Sequence, residues 1–250
     1  MNQPHPVELL DAHQLHLVET TAPQLTAEQQ TVMDRMWAEM TATNPDFFDG
    51  PVVVCAGVEW KDPHTLALTW YRATYRLYVL RLAPEHAVHA PSVFVTVAQP
   101  TDDGRLLVGR MASSTAAPGR WQLPGGTIEP PTEGTPLDLE ALRRHAAREL
   151  VEEVGRTVPE QDLELWAVTR GDRGNIGVHF RASACPAAAI EELHAEVTAA
   201  DLSTGRTPEL DRLAFIGSAA DVEGLGGRSA DFLPVLAARH AADPIPQPRR

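Results

Sequence analysis

The chain has 250 residues, of which 43% are hydrophobic and 22% are charged, a composition typical of one large or two small globular domains. The formal net charge of −13 disfavours a nucleic-acid partner, because a phosphate backbone repels an acidic protein. No apolar run reaches the ~18 residues of a membrane-spanning helix, and no signal-peptide pattern is visible. Cys55 and Cys185 lack partners at metal-ligand spacing. We therefore expect reduced thiols in a cytoplasmic protein without a membrane partner.

Residues 1–88 predict a small α+β unit. Thr26 begins a capping-box pattern, and apolar residues then recur at helical spacing until the helix ends at Asn44. Two β-rich segments follow, at residues 51–60 and 65–80. This unit is predicted to precede the rest of the protein as a separate domain.

Residues 89–242 predict alternating strands and helices, which is the pattern of an α/β/α sandwich. The predicted strands are 92–99, 105–111, 163–168, 176–180 and 213–217, and the predicted helices are 137–154, 186–197 and 231–242. Residues 243–250 are rich in proline and arginine and predict a flexible tail.

The helix predicted over 137–154 carries three carboxylates on one face. Glu149, Glu152 and Glu153 are three and four positions apart, so their side chains project together. Like charges on one face repel, and a hard divalent cation would relieve the repulsion. Oxygen ligands of this kind are those that Mg²⁺ and Mn²⁺ select.

A longer motif surrounds these carboxylates. Its specified positions are Gly134, Glu140, Arg148-Glu149-Leu150, Glu152-Glu153 and Gly155. They fit the pattern Gly-x5-Glu-x7-Arg-Glu-aliphatic-x-Glu-Glu-x-Gly, and Trp121–Gly126 is similar to the strand end that leads into it. The chain thus resembles the Nudix hydrolases. The resemblance implies a Nudix α/β/α sandwich, here with an N-terminal α+β extension.

The resemblance also implies roles for individual side chains. Glu149, Glu152 and Glu153 look like ligands for Mg²⁺, with Mn²⁺ as an alternative, and Glu152 and Glu153 count among the catalytic residues. Arg148 would orient the carboxylates through an ion pair with Glu140 or Glu152. The implied reaction is hydrolysis of a diphosphate that is linked to another group.

The glycine that would supply a backbone ligand is ambiguous. Gly134 fits the motif spacing, whereas Gly126 fits the strand-end context but lies 14 positions before Glu140. About eight extra residues therefore enlarge the intervening loop. We favour Gly126 as the metal ligand, because a strand end is the more rigid platform.

Family resemblance suggests further candidates outside the motif. A carboxylate in a late loop often acts as general base, which favours Glu209 and places Asp211 second. Arg110 and Arg120 flank the loop before Trp121–Gly126 and are predicted to bind phosphate; a surface position is the alternative for each. His145, one helical turn before Glu149, is interpreted as a packing or surface residue.

The N-terminal unit carries a looser resemblance. Trp37, residues 44–50 and Thr69–Arg76 are similar to the leading domain of two-domain Nudix hydrolases that cleave UDP-glucose and UDP-galactose. If this holds, Tyr71, Arg72 and Arg76 would bind substrate, together with the neighbouring Tyr75. The alternative is that the tyrosines pack a β-layer and the arginines lie outside it.

The resulting hypothesis is an Mg²⁺-dependent enzyme that converts a UDP-sugar to UMP and a sugar 1-phosphate. One alternative is the same chemistry on ADP-ribose, a dinucleotide or a prenyl diphosphate. A second is a non-catalytic Nudix module that senses a ligand, although retention of all three carboxylates favours catalysis. The expected partner is a small-molecule diphosphate, and the resemblance also allows a homodimer.

Overall fold

The computed structural model describes residues 7–44 and 47–243. Its strands are β1 Glu8–Leu10, β2 Gln14–Glu19, β3 Pro51–Asp62, β4 Thr65–Thr74, β5 Val93–Ala98, β6 Leu106–Met111, β7 Trp121–Gln122, β8 Glu164–Arg170, β9 Ile176–Arg181 and β10 Leu210–Ile216. Its α-helices are α1 Ala27–Thr43, α2 Leu139–Val154, α3 Ala187–Ser203, α4 Ala219–Gly224 and α5 Leu233–Ala242. Short 3₁₀ segments cover Tyr75–Leu82, Pro84–His86 and Glu160–Asp162.

The N-terminal helix begins where its capping box predicts. The Thr26 hydroxyl accepts a hydrogen bond from the Gln29 N–H, and the Gln29 side chain accepts one from the Thr26 N–H. Each bond satisfies a backbone donor that the first turn of a helix leaves free. α1 packs beside a three-stranded sheet of order β2-β4-β3, in which β2 and β4 are parallel.

The β-rich segment predicted over residues 65–80 is wrong in its second half. β4 ends at Thr74, and Tyr75–Leu82 forms a 3₁₀ helix. A 3₁₀ turn places residues three apart on the same side, so Leu77 and Leu80 both enter the core that α1 covers. An extended chain would have turned them to opposite faces.

The rest of the chain forms the predicted sandwich. One sheet has the order β1-β8-β9-β5, with β5 parallel to β9, and a second has the order β10-β6-β7. α2 packs on one side, where Leu142 and Leu150 join the core formed by β5, β8 and β9. α4 and α5 cover the other side through Val222, Leu233 and Leu236. The α/β fold class is therefore confirmed.

The first strand of the chain lies in the predicted N-terminal unit by sequence but pairs with a strand of the sandwich. β1 pairs antiparallel with β8, so residues 8–10 belong to the four-stranded sheet. The division into residues 1–88 and 89–242 stays a prediction, and most of the predicted tail, residues 244–250, lies outside the described residues. Within the described parts of the chain, no helix is long and apolar enough to cross a membrane.

Candidate active site

The helix α2 is fixed at both ends and along one face. The Asp138 side chain accepts a hydrogen bond from the Ala141 N–H at 2.8 Å, and Gly155 ends the helix. Leu142, Ala146 and Leu150 are fully buried at spacings of four residues. Because this apolar stripe is anchored in the core, the adjoining carboxylate face has a fixed direction.

Glu153 lies at the bottom of the site. Its side chain is 4% exposed, and Oε2 accepts a hydrogen bond from the Gly125 N–H at 2.7 Å. Burial raises the pKa of Glu153 well above its ordinary value; Glu149, Glu209 and Glu152 add to the rise, and only the Gly125 N–H opposes it. α2 is thus joined to the loop that follows β7.

Glu149 lies directly against Gly126. A Cβ atom on Gly126 would stand 2.8 Å from both carboxylate oxygens of Glu149, so a side chain there would require the carboxylate to shift. The Gly126 carbonyl accepts a hydrogen bond from the Val95 N–H at 3.0 Å, which ties the loop to β5. Gly134 is exposed in the enlarged loop. The structure therefore brings Gly126 to the carboxylates; a ligand role for its carbonyl stays a prediction.

Arg148 and Glu152 lie at the exposed edge of the helix. The Arg148 Nε is 3.9 Å from Glu152 Oε1, while Glu140 pairs with Arg143 instead. Of the two predicted partners of Arg148, Glu152 is therefore the one within reach. The Arg148 Nη2 also lies 3.1 Å from Nδ1 and 3.5 Å from Nε2 of His145. The exposed ion pair of Arg148 and Glu152, at 3.9 Å, contributes little to stability.

The late loop brings one of its two candidate carboxylates to the site. Glu209 lines the cleft, and its pKa is raised by the loss of surrounding water and then by Glu149 and Glu152. Asp211 instead forms a bidentate ion pair with Arg110, at 2.7 and 3.1 Å. Neither Asp211 nor Arg110 is among the residues that line the cleft.

The carboxylates fit a divalent cation, although they do not converge on one point. Across the described residues, no three His, Cys, Asp or Glu side chains form a metal-binding group. Glu153 Oε1 is nevertheless buried, without a hydrogen-bond donor among the described residues, in the field of Glu149, Glu152 and Glu209. A buried, raised-pKa carboxylate with a free oxygen suits a cation, and Mg²⁺ needs only one or two protein carboxylates.

A cleft of about 1010 Å³ opens beside these groups. It is lined by Gly125, Gly126 and Glu209, and also by Arg120. Arg120 donates from Nη2 to Gln122 Oε1 at 2.6 Å, whereas its buried Nε has no acceptor in the described parts of the chain. Its guanidinium is therefore a positive charge at the cleft with one unpaired donor, and guanidinium groups suit anions.

The N-terminal unit also lines the cleft, with Tyr75 of the four residues predicted there and with others that were not predicted. Tyr75, Tyr78 and Arg81 line it, together with Phe48, whose side chain is 79% exposed. The rings of Tyr75 and Tyr78 meet edge to face with centroids 5.5 Å apart, and the Arg81 guanidinium lies 3.9 Å above the Tyr78 ring. Tyr78 and Arg81 were not predicted; the 3₁₀ helix Tyr75–Leu82, which carries both, was expected to be extended as far as residue 80.

Tyr71, Arg72 and Arg76 lie elsewhere. Tyr71 is buried, and all three residues line a separate small cavity rather than the cleft. Arg72 forms an ion pair with Glu19 at 2.6 Å, and Arg76 forms one with Asp49 at 3.2 Å. A role of these residues in substrate binding stays a prediction, and their placement agrees with the packing alternative.

The sandwich and the carboxylate-bearing helix are those of a pyrophosphate hydrolase. The NUDIX domain family matches residues 88–215, which is 128 of the 250 residues, and the chain belongs to this family. Nudix hydrolases use a divalent metal ion. No curated protein matches the chain.

Solved structures show similarity at low identity. The MutT protein from Methanosarcina mazei Go1 is 18% identical, over 61% of this chain and 95% of that one, with a TM-score of 0.39. A NUDIX hydrolase from Nitrosomonas europaea is 15% identical, over 61% and 88%, with a TM-score of 0.34. A bifunctional NMN adenylyltransferase/ADP ribose pyrophosphatase from Francisella tularensis, complexed with AMP and a Mn ion, is 14% identical, over 62% and 43%, with a TM-score of 0.38.

Proposed function

We propose that the protein is an Mg²⁺-dependent hydrolase of nucleoside diphosphate sugars, and that a UDP-sugar gives UMP and a sugar 1-phosphate. The observation that carries the proposal is the shared cleft. Glu209 and Gly126 line it, and so do Tyr75 and Tyr78 of the N-terminal unit. A diphosphate with groups at both ends would contact both sets of residues, whereas inorganic pyrophosphate would leave the tyrosines without contact.

The proposed cation site is formed by α2 and by the loop of Gly125 and Gly126, here called the glycine loop. Glu149, Glu152 and Glu153 would hold Mg²⁺, with Mn²⁺ as a substitute, and the Gly126 carbonyl would add a backbone ligand. The ion would bridge phosphate oxygens and lower the pKa of an attacking water. Glu209 would take the proton from that water, and its raised pKa suits a base that operates near neutral pH.

The substrate contacts come from both units. Arg120 would bind a phosphate through the part of its guanidinium that lines the cleft, and planar guanidinium groups suit such oxygens. The edge-to-face pair of Tyr75 and Tyr78 would contact the nucleoside, because an aromatic wall favours a flat ring. In this proposal the unit of residues 1–88 shapes the substrate site, as in the UDP-sugar enzymes that it resembles.

A cytoplasmic setting belongs to the same proposal. Cys55 and Cys185 are both free and buried, as expected of a protein in a reducing compartment. A homodimer remains a separate question, which sedimentation of the purified protein would answer.

The test is an assay of the full chain with Mg²⁺ against UDP-glucose, UDP-galactose, ADP-ribose, NADH, deoxynucleoside triphosphates and prenyl diphosphates. Release of UMP and a sugar 1-phosphate, with the highest kcat/KM for a UDP-sugar, is the expected result. Turnover of ADP-ribose alone would overturn the UDP-sugar assignment and leave the Nudix chemistry in place.

Matched variants test the metal site and the aromatic residues of the cleft separately. Glu153→Gln should lower kcat at least about 100-fold with every substrate and leave the fold intact. Glu192→Gln, on the exposed face of α3, should have no effect. Tyr75→Ala should raise KM for the nucleotide sugar more than for a small diphosphate. Full activity of Glu153→Gln would remove the metal-site assignment.

A further inference from the structure

Two arginines lie near each other in the cleft. Arg81 belongs to the 3₁₀ helix Tyr75–Leu82 and Arg173 to the turn between β8 and β9, and both line the cleft. Burial lowers the pKa of Arg81, and the neighbouring charge of Arg173 also acts to lower it. An anion that contacts both guanidinium groups would relieve the repulsion between these like charges.

The guanidinium of Arg81 is held in place by neutral groups. It lies 3.9 Å above the Tyr78 ring, and its Nη2 donates a hydrogen bond to the Ala90 carbonyl. Neither contact neutralises the charge, although the Arg81 side chain is half-buried. A cation that is withdrawn from water without a counter-ion carries a free-energy cost. A bound anion would offset that cost.

No carboxylate of the described residues forms an ion pair with Arg81 or Arg173. Elsewhere in the protein, a half-buried arginine such as Arg181 pairs with a carboxylate, in this case Glu164 at 3.2 Å. The chain carries 34 acidic and 21 basic residues, so carboxylates outnumber cations. The two arginines of the cleft are therefore left without a carboxylate in a protein that has a surplus of them.

Asp231, an acidic residue of the cleft, does not neutralise the pair. Its carboxylate accepts a hydrogen bond from the Asp172 N–H at 3.2 Å, which fixes the turn that carries Arg173. Burial lowers the pKa of Arg120 and the charge of Asp231 opposes that shift, whereas no carboxylate is among the groups that shift the pKa of Arg81. Asp231 thus acts on the arginine already assigned to the diphosphate.

Tyr75 lies close to both Arg81 and Arg120. Burial raises the pKa of the Tyr75 hydroxyl, and the charges of Arg81 and Arg120 both oppose the rise. All three side chains line the cleft. A single substrate could therefore contact Arg120 with its diphosphate and the pair of Arg81 and Arg173 with another group.

The charges of the proposed complex leave these two arginines without an anion. A divalent cation balances the two charges of a diphosphate that is esterified at both ends, and Arg120 already adds a third positive charge. We propose that Arg81 and Arg173 form an oxyanion subsite, which binds a further anionic group that the substrate carries besides its diphosphate. Guanidinium groups match carboxylate and phosphate alike.

This subsite rests on the proposed function, because it lies in the same cleft and narrows the substrate class. The anionic group has two possible sources. One is a carboxylate on the sugar, as in a nucleoside diphosphate uronic acid. The other is a phosphate on the ribose of the nucleoside.

The experiment is isothermal titration calorimetry of the purified full chain without metal, so that the proposed hydrolysis does not occur. UDP-glucuronate and UDP-glucose differ by a carboxylate on the sugar, and NADP⁺ and NAD⁺ differ by a phosphate on the ribose. We expect the more anionic member of at least one pair to bind at least about 10-fold more tightly. A protein with a net charge of −13 would otherwise repel that member more strongly.

Three variants locate the preference. Arg81→Gln removes the charge and keeps an N–H for the Ala90 carbonyl, and it should reduce the preference to less than about threefold. Arg173→Ala, at an exposed position, should reduce the preference in the same direction and replaces Arg81→Gln if that variant does not fold. Arg212→Ala is the matched control, since Arg212 is exposed on β10 and is not among the cleft residues. It removes the same charge and should keep the preference.

The outcomes separate the subsite from the proposed function. Preference in the first pair assigns the carboxylate, and preference in the second assigns the phosphate. Equal binding within both pairs, no binding of any of the four compounds, or a preference that survives both Arg81→Gln and Arg173→Ala overturns the subsite. Hydrolysis of UDP-glucose in the Mg²⁺ assay would then leave the proposed function in place, whereas a preference without hydrolysis of any nucleotide sugar would overturn that function and keep the subsite.

Discussion

The Gly125 N–H donates a hydrogen bond to Glu153 Oε2 at 2.7 Å, which joins the acidic helix to the loop opposite it. The two residues are 28 positions apart in the chain. The same loop is tied to β5 on its other side, through Val95 and Val97. The distance between α2 and the loop of Gly125 and Gly126 is therefore set by these hydrogen bonds, before any ligand contributes.

Glu153 should make the stability of the metal-free protein depend on pH. Its folded-state pKa lies well above the ordinary 4.5, so the folded state binds the proton more tightly than the unfolded state. The contribution to stability is full below about pH 4.5 and is lost as the pH rises towards the folded-state pKa. Glu153→Gln removes this loss, so the variant should be the more stable protein at pH 7.

Urea unfolding of both proteins between pH 4 and pH 8 measures this effect. The two stabilities should converge at the acidic end and separate as the pH rises. Added Mn²⁺ should narrow the separation at pH 7, because a ligand of the native state stabilises the wild type. A Glu153→Gln protein that is less stable than the wild type throughout the range would contradict the raised pKa.

Gly125 should not tolerate a side chain. Its φ of +144° is a conformation that other residues rarely adopt, and an added Cβ would lie 2.6 Å from the Thr96 Cα and closer still to the Val95 carbonyl oxygen. Both obstacles are backbone atoms of β5, which cannot move aside as a side chain could. We expect Gly125→Ala to lower the free energy of unfolding by roughly 3 kcal/mol or more.

Gly119 provides the matched control for that substitution. Its φ is +70°, but an added Cβ would meet nothing within 4 Å. Gly119→Ala should therefore cost only about 1–2 kcal/mol, from the backbone conformation alone. Equal losses in the two variants, measured by urea unfolding, would show that the contact with β5 is unimportant.

The local features of this protein could be predicted from its sequence, and the long-range ones could not. The capping box at Thr26 and the carboxylate spacing of Glu149, Glu152 and Glu153 are short-range patterns, which depend on neighbours within four residues. Arg110 and Arg120 look alike in the sequence, yet Arg120 lines the cleft and Arg110 pairs with Asp211. That pairing depends on the register between β6 and β10, and these strands are about 100 residues apart.

The contact of His145 with Glu149 could not be predicted for a related reason. The separation of four positions was visible in the sequence, but the burial of His145 and the 2.9 Å between its Nε2 and Glu149 Oε1 depend on packing against the sheets.

His179 should destabilise the protein in acid. It is fully buried, with Thr96 Oγ1 at 2.7 Å from Nδ1 and Thr169 Oγ1 at 2.8 Å from Nε2, and burial lowers its pKa from 6.5 to about 3. The unfolded state binds the proton more tightly, so the contribution to stability is full above pH 6.5 and is lost as the pH falls towards 3. The loss is at most roughly 5 kcal/mol.

The comparison with His179→Gln isolates this contribution. Glutamine can keep one hydrogen bond to a threonine but has no proton to gain, so its stability should fall less steeply between pH 6.5 and pH 4. Denaturant unfolding of both proteins across this range supplies the two slopes. Superimposed slopes would mean that the buried imidazole takes up its proton without a cost to folding.

Arg120 and Arg110 should differ in their effect on catalysis although the sequence presents them alike. Arg120 lines the cleft with a buried, unshared Nε, and it stays charged at any practical pH even though burial lowers its pKa. Arg110 is held by Asp211 on the adjacent strand, outside the cleft lining.

We expect Arg120→Ala to lower kcat/KM roughly 10- to 100-fold, mainly by raising KM, because a phosphate loses a charged donor. Arg110→Ala removes the same charge from the protein and should change kcat/KM less than about threefold. Steady-state kinetics of the two variants in the same salt decides the matter: equal losses would mean that the net charge of the protein, and not a contact in the cleft, governs substrate binding.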